Sequence, residues 1–255
     1  MGLASKIKIE NITKFFIEKT SKKKIEVFDN FSMNLPIENG NKIISIVGKS
    51  GSGKTTLLRM IAGLETPNLG QITVNGIIAN KPTLQTTLIP QSFTCFPWLN
   101  VYQNIAFGLE VLKQKNIKEK VVNVATQLGL QDRLSALPNE LSGGMQQRVA
   151  VGRALAVDVP IILMDEPFSS LDTITRKEMQ EIILKITEQE ERLIILVTHD
   201  LHEAILLSDD IIILPERSIH MPTEIIHIPF DRPRNSYLIG DSKYIDIHKR
   251  LSSKI

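Results

Sequence analysis

The stretch IISIVGKSGSGKTTLLRMIAGL, residues 43–64, decides how this chain folds. It opens on IISIV, a short apolar run of strand length, and closes on TLLRMIAGL, which reads as a helix. Between them Gly48–Thr55, GKSGSGKT, fits G-x-x-x-x-G-K-[ST] in the strand–loop–helix context that this pattern requires. A chance match in a chain of this composition has odds on the order of 1 in 100, and the flanks lower them further. The glycines let the backbone N–H groups of residues 49–55 turn toward one anion as a nest. Lys54 is placed to reach β- and γ-phosphates, and the Thr55 hydroxyl can ligate Mg²⁺. The alternative is a glycine-rich turn that holds no ligand.

A second stretch, Leu141–Arg148 (LSGGMQQR), also opens a helix. A serine and two glycines at a helix start leave backbone N–H groups free and admit a close ligand. The helix dipole favours an anion there. An ordinary N-capped surface helix is the alternative, because serine is a favoured N-cap.

Bulk properties narrow the class. The chain has 255 residues, 42% hydrophobic and 23% charged, with a formal net charge of +2, which points neither to nucleic acid nor to an acidic tail. The run Lys22–Lys24 reads as a solvated hairpin tip. The single cysteine, Cys95, excludes an internal disulfide and fits a reducing compartment. No run approaches the roughly 18 apolar residues of a membrane span, and the N-terminus lacks a signal-peptide core. The Met-Gly start departs from a myristoylation pattern at Lys6. The expectation is a cytosolic chain that meets a membrane only through a partner.

Short strands are expected at 7–12, 70–76 and 86–90, with a β segment across 23–36. Helical periodicity covers 100–113 and 117–130, the latter with Ile117, Val121, Val124 and Leu128 on one face. Strands and helices then alternate: IILMDEP (161–167), a helix with Met179, Ile182, Ile183 and Ile186 on one face, LIILVTHD (193–200), LHEAILLS, and IIIL (211–214). This pattern argues an α/β fold with a mostly parallel sheet covered on both faces, into which a helical block of roughly 95–157 is inserted.

Strand ends supply further candidates, because ligands in open α/β sheets sit at the carboxyl edge. Asp165 and Glu166 close an apolar strand; Asp165 suits Mg²⁺, and Glu166 suits polarisation of an attacking water. A solvated loop start is the bland reading of that pair. His199 ends the next strand, where contact with a γ-phosphate is plausible beside the commoner structural role. Gln91 follows LIP, where its amide could ligate Mg²⁺ or the water; an ordinary polar loop residue is its alternative.

GKSGSGKT, Gln91, LSGGMQQR, LMDEP, SSLD (169–172) and His199 stand in the order and approximate spacing of ABC-type ATPases, which the chain resembles over residues 6–235. The resemblance implies a P-loop NTPase core of residues 1–92 and 158–255 with an N-terminal antiparallel β part, and a helical signature subdomain at 93–157. Gly48, Lys49, Ser50, Gly51, Ser52, Gly53, Lys54, Thr55 and Thr56 are similar to the Walker A loop. Gln91 resembles the Q-loop glutamine, and Leu141, Ser142, Gly143, Gly144 and Met145 the signature. Asp165 and Glu166 match Walker B and its catalytic glutamate. Ser169, Ser170, Leu171 and Asp172 match the D-loop, and His199 the switch histidine. Glu166, His199 and Gln91 are the implied catalytic set, and Thr55, Gln91 and Asp165 the implied Mg²⁺ set. An aromatic that stacks on adenine is expected near the start; Phe16 best fits, with Phe15 adjacent. Met145 departs from the family, where glutamine is commoner.

The resemblance further implies ATP and Mg²⁺ as cofactors. It implies a head-to-tail homodimer in which each ATP lies between one Walker A loop and the partner's signature. The stretch 88–110 with Pro97-Trp98-Leu99, and the tail with Asp231-Arg232-Pro233-Arg234, look like the nitrate/sulfonate/taurine type of importer. That type works with an integral membrane permease at the cytoplasmic membrane face and indirectly with an extracytoplasmic solute-binding protein, and no nucleic-acid partner is expected. In that group the Pro-Trp segment lies by the groove that receives the permease; a core aromatic is the alternative for Trp98. A DNA-repair or ribosome-associated ABC ATPase and a small-molecule P-loop kinase are the rival readings.

Overall fold

All five residues of IISIV are buried, as a strand covered on both faces requires. The computed structural model describes residues 6–18, 20, 22–35, 43–92, 95–189, 192–216, 224–232, 234 and 236–255. Of the segments singled out above, the Met-Gly start, Pro36, Phe93, Thr94 and Pro233 lie outside the described residues.

Two sheets organise the chain. The first is antiparallel: β1 (Ile7–Ile17), β2 (Lys24–Asn34), β4 (Leu69–Val74) and β5 (Ile77–Ile78), in the order β2-β1-β4-β5. The second contains β3 (Ile43–Val47), β6 (Thr86–Ile89), β7 (Ile161–Asp165), β8 (Leu193–Val197), β9 (Asp210–Ile213) and β10 (Glu224–His227), in the order β10-β9-β3-β8-β7-β6. Its pairings are parallel except for β10 against β9. Helix α1 (Lys54–Ile61) follows β3 directly.

Alternation along the central strands explains the layers. Ile161, Leu163, Leu193, Ile195 and Val197 join α1 and the antiparallel sheet in one core, whereas Ile162, Met164, Ile194 and Leu196 join the helices in another. That helical side is built from α2 (Val101–Val111), α3 (Ile117–Gln127), α4 (Gly143–Ala156) and α5 (Thr173–Gln189). Each such aliphatic side chain contributes roughly 1.5–3 kcal/mol by burial, so a one-residue register slip in β7 or β8 would exchange two cores at once. Both faces of the parallel sheet are covered as expected, one by these helices and the other by α1 with the antiparallel sheet.

Two further differences from the sequence have local causes. β1 continues to Ile17 instead of ending at residue 12, since register shifts and a left-handed Asn11 (φ 49) let one strand serve both β2 and β4. Beyond residue 240, where no element was expected, α7 (Ser242–Ser252) begins with Asp241 accepting hydrogen bonds from the Lys243 and Tyr244 amides. Its buried Tyr244 joins the third core with α6 (Leu201–Leu207) and β9. The Tyr244 hydroxyl lies 2.5 Å from His202 Nδ1, and burial pushes the phenol up to about 12.

Candidate nucleotide site

Parallel pairing brings the ends of β3, β6, β7 and β8 to one sheet edge. The loop after β3 holds Gly48–Gly53, Gln91 follows β6, Glu166 follows β7, and His199 follows β8. Sequence-distant candidates therefore meet there because every strand that carries one runs in the same direction.

The loop has the shape of an anion nest. Gly51 and Gly53 have φ of 81 and 99, conformations that glycine adopts without strain. Gly53 also has no room for a side chain: a Cβ there would stand 2.7 Å from Val27 Cγ1 and 2.8 Å from Phe28 Cζ. The β1–β2 hairpin thus presses on the start of α1. Ser52 Oγ is buried with no hydrogen-bond partner among the described residues, so the loop retains unused polar capacity. Lys54 Nζ donates to the carbonyls of Gly48 and Lys49 at 2.7 and 3.0 Å. Burial pulls its ammonium below the ordinary lysine range, while Glu166 and Asp165 oppose that pull.

Thr55 Oγ1 donates to Asp165 Oδ1 at 3.0 Å, joining the first turn of α1 to the end of β7. Burial raises the Asp165 carboxyl above its ordinary range, opposed first by the Thr55 hydrogen bond. A hydroxyl and a carboxylate side by side form a hard oxygen donor set, the chemistry Mg²⁺ prefers. The unused Ser52 hydroxyl and the nest fit the phosphates that would share the ion.

Glu166 is the meeting point. Its Oε2 accepts from Gln91 Nε2 at 2.9 Å and stands 3.2 Å from His199 Nδ1. Its backbone is left-handed, with φ 47. Such a conformation costs a non-glycine residue on the order of 1–3 kcal/mol and persists only where surrounding contacts fix it. Here they do: the Glu166 amide donates to Val197 O at 2.9 Å, and its carbonyl accepts from Ser169 N and Oγ at 3.3 and 3.0 Å. Ser169 of the 169–172 loop thereby braces Glu166. Asp172 caps α5 by accepting from the Ile174 and Thr175 amides, and hydrogen bonds from Thr175 hold its carboxyl below the ordinary range.

Residues 141–145 form the start of α4, which lies against Thr175 in the first turn of α5. Ser142 Oγ accepts from the Met145 amide at 3.3 Å, so the capped-helix reading is what the geometry has. Gly144 has no space for a side chain, as its Cβ would meet Thr175 Cγ2 at 2.3 Å, whereas Gly143 faces open space. Among the described residues no hydrogen bond or ion pair joins 141–145 to the loop at 48–56. Phe16 is 39% exposed, on the face of the hairpin that Lys14 and Phe28 share, and Phe28 reaches Gly53. Lys14 Nζ lies 4.7 Å from the Phe16 ring.

Gln147 lies inside LSGGMQQR without a role of its own there, and Arg176 and Glu203 have no sequence signal strong enough to single them out. Gln147 is fully buried, and its Nε2 donates to the carbonyl of Pro167, directly after Glu166. Arg176 and Glu203 lie beyond the motifs and contact the residues on either side of His199, Arg176 at Asp200 and Glu203 at the Thr198 hydroxyl. Only their helical phase relative to 172 and 200 could have pointed to them.

A glycine loop between β3 and α1, with a lysine, a hydroxyl and two strand-end carboxylates at one edge, defines a P-loop nucleoside triphosphatase. The chain belongs to the ABC transporter family, whose model matches residues 29–169, and is an ATPase of that family. It is 40% identical over 232 residues to an aliphatic sulfonates import ATP-binding protein of Bacillus cereus, covering 90% of each chain. It is 41% identical over 212 residues to a nitrate import ATP-binding protein of Synechocystis, covering 80% of this chain and 31% of that protein. A dimeric ATP-binding cassette solved in a post-hydrolysis state with ADP and Pi superposes with a TM-score of 0.73 at 29% identity, covering 88% of this chain and all of that one.

Met145 offers the first test. What this position gives the helix cap is its backbone N–H, and its side chain packs into the helical core. Met145→Gln is therefore expected to change the ATPase rate of the assembled complex by less than about threefold, since a cap needs only the backbone donor. A change of tenfold or more would mean that the side chain itself is read.

Proposed function

We propose that this chain is the ATP-hydrolysing subunit of an importer for a small anionic or zwitterionic solute of the sulfonate or nitrate kind. It works as a head-to-tail homodimer under an integral permease at the cytoplasmic membrane face, fed by an external solute-binding protein. The observation that carries the reading is the split site: the LSGG helix start is built, capped and open at Gly143, yet bonded to nothing in its own phosphate loop. A second copy supplies the missing half.

In this reading Gly48–Thr56 hold the triphosphate through backbone N–H groups, and Lys54 exchanges the Gly48 and Lys49 carbonyls for phosphate oxygens. Phe16 stacks on the base. Thr55, Asp165 and Gln91 would hold Mg²⁺, which supplies charge neutralisation on the phosphates when bound. Glu166 orients and polarises the water that attacks the γ-phosphorus and takes up its proton as the new P–O bond forms, while the P–O bond to the β,γ-bridging oxygen breaks and ADP leaves with that oxygen. His199 and Gln91 fix the Glu166 carboxylate. Leu141–Met145 engage the partner's ATP, and Ser169–Asp172 hold the loop behind Glu166. The ATP thus acts as a removable link across the dimer, released by hydrolysis.

The division into a core (1–92 and 158–255) and a signature subdomain (93–157) belongs to the same reading. In that subdomain Trp98 is 71% exposed, so it is not a core aromatic. It lies 5.6 Å from the Phe96 ring, which in turn is 4.7 Å from Phe107, and Arg153 covers Phe96 at 4.1 Å. An exposed aromatic cluster of this kind is the composition of a binding surface. Trp98→Ala is expected to abolish co-purification with the permease while leaving ATP affinity and thermal midpoint unchanged. Retained permease binding would remove Trp98 from the interface, and global unfolding would return it to a structural role.

A further inference from the structure

The distance between Glu166 and His199 is set by two loops, 166–172 and 198–200, each following a different strand. Besides the direct Glu166–His199 contact, Arg176 reaches both loops from outside them. Arg176, in the first turn of α5, donates from NH2 to the carbonyl of Leu171 at 3.1 Å, and its NH1 stands 3.8 Å from Asp200 Oδ2. Asp200 is the residue after His199, and it caps α6 by accepting from the His202 and Glu203 amides. One turn further along α5, Gln180 Nε2 donates to Glu203 Oε1 at 2.9 Å, and the other oxygen of that carboxylate accepts from the Thr198 hydroxyl. Arg176 and Gln180 share a helix face through their i, i+4 spacing. Together they latch α5 onto the segment that carries His199.

We propose that Arg176 is a positioning residue for hydrolysis, a strut that keeps His199 in reach of Glu166 by tying the 171 carbonyl to Asp200. This rests on the roles assigned above to Glu166 and His199. Stability does not account for the arrangement. A partly exposed ion pair at this distance contributes little, and Arg176 Nε is buried with no partner among the described residues, which is a cost. Packing does not supply the constraint either. A cleft of about 20 Å³, partly open to solvent, lies between Glu166, Ser169, Arg176, His199, Asp200 and Glu203. Without the strut the His199 loop has space to relax.

The test compares purified wild-type protein with Arg176→Met, Arg176→Lys and Glu166→Gln. Arg176→Met keeps the apolar stem and loses both contacts; Arg176→Lys keeps the charge but has one donor atom for two loops. Both are expected to lower kcat about tenfold or more, with KM for ATP within about twofold and an unchanged thermal midpoint, because misplacing a catalytic pair acts on the transition state alone. Wild-type kcat in Arg176→Met overturns the strut. Rescue by Arg176→Lys reduces the residue to a charge and overturns it too, as does a fall in kcat that tracks a lowered midpoint and a raised KM. If Glu166→Gln itself turns over at the wild-type rate, the assignment of Glu166 fails and the strut with it. A dead Glu166→Gln beside a fully active Arg176→Met sinks the strut alone.

Discussion

Glu166→Gln is expected to lower ATP turnover at least about a hundredfold while ATP affinity stays within about twofold, the signature of losing a positioned proton acceptor. The amide is nearly isosteric, keeps the 2.9 Å partnership with Gln91 possible, and leaves the braced left-handed backbone untouched. What it loses is the charge that, in the proposed role, polarises water and accepts its proton. ATP should then persist between the two copies, so the variant should elute as a dimer with ATP and as a monomer without it. Size-exclusion chromatography with and without ATP, beside a phosphate-release assay, gives both readouts. Full turnover would remove Glu166 from the chemistry.

Mixing two inactive variants should restore activity, and this is the larger claim because it tests the split site itself. Lys54→Ala removes the buried ammonium beside the phosphate loop but leaves the LSGG half intact. Gly144→Val places a side chain against Thr175, where even a Cβ would sit at 2.3 Å, and so displaces the helix start while leaving the phosphate loop intact. Each variant alone should fall at least about a hundredfold. In an equal mixture half of the dimers are mixed, and each mixed dimer holds one intact site of two. Recovery of roughly a quarter of the wild-type rate is therefore expected for a closed two-fold dimer with independent sites. No recovery, with mixed dimers detected by differential tagging, would mean that the site is not shared in this way.

Much of this was legible in the residues. IISIV, IILM and LIILV are buried runs of strand length, each leading within two residues into a segment that carries a candidate site group, and each became a strand of the parallel sheet. The loop at 48–55 carries its own instructions, since glycine alone adopts the required φ beside β2 without clash. The capped start of α4 is local too, one hydroxyl on one amide three residues on. Other features were illegible. α7 has a capping aspartate and a narrow stripe of Tyr244, Ile247 and Leu251 that is easily missed in so short and polar a segment, and that stripe packs into the core shared with α6. β1 continues past residue 12 because two neighbouring strands pair with it, which no window along β1 contains.

The sequence by itself determined the glycine loop after β3, the strand-end acids, the capped start of α4 and hence the family, because each depends on spacings of a few residues. Only the tertiary structure decided that Gln91 and His199 converge on one oxygen of Glu166, that Gln147 grips the next carbonyl, and that Arg176 spans two loops. Those contacts join segments far apart in the chain, and they exist because parallel strands bring their ends to a common edge and the helices packed behind fix how far apart the loops lie.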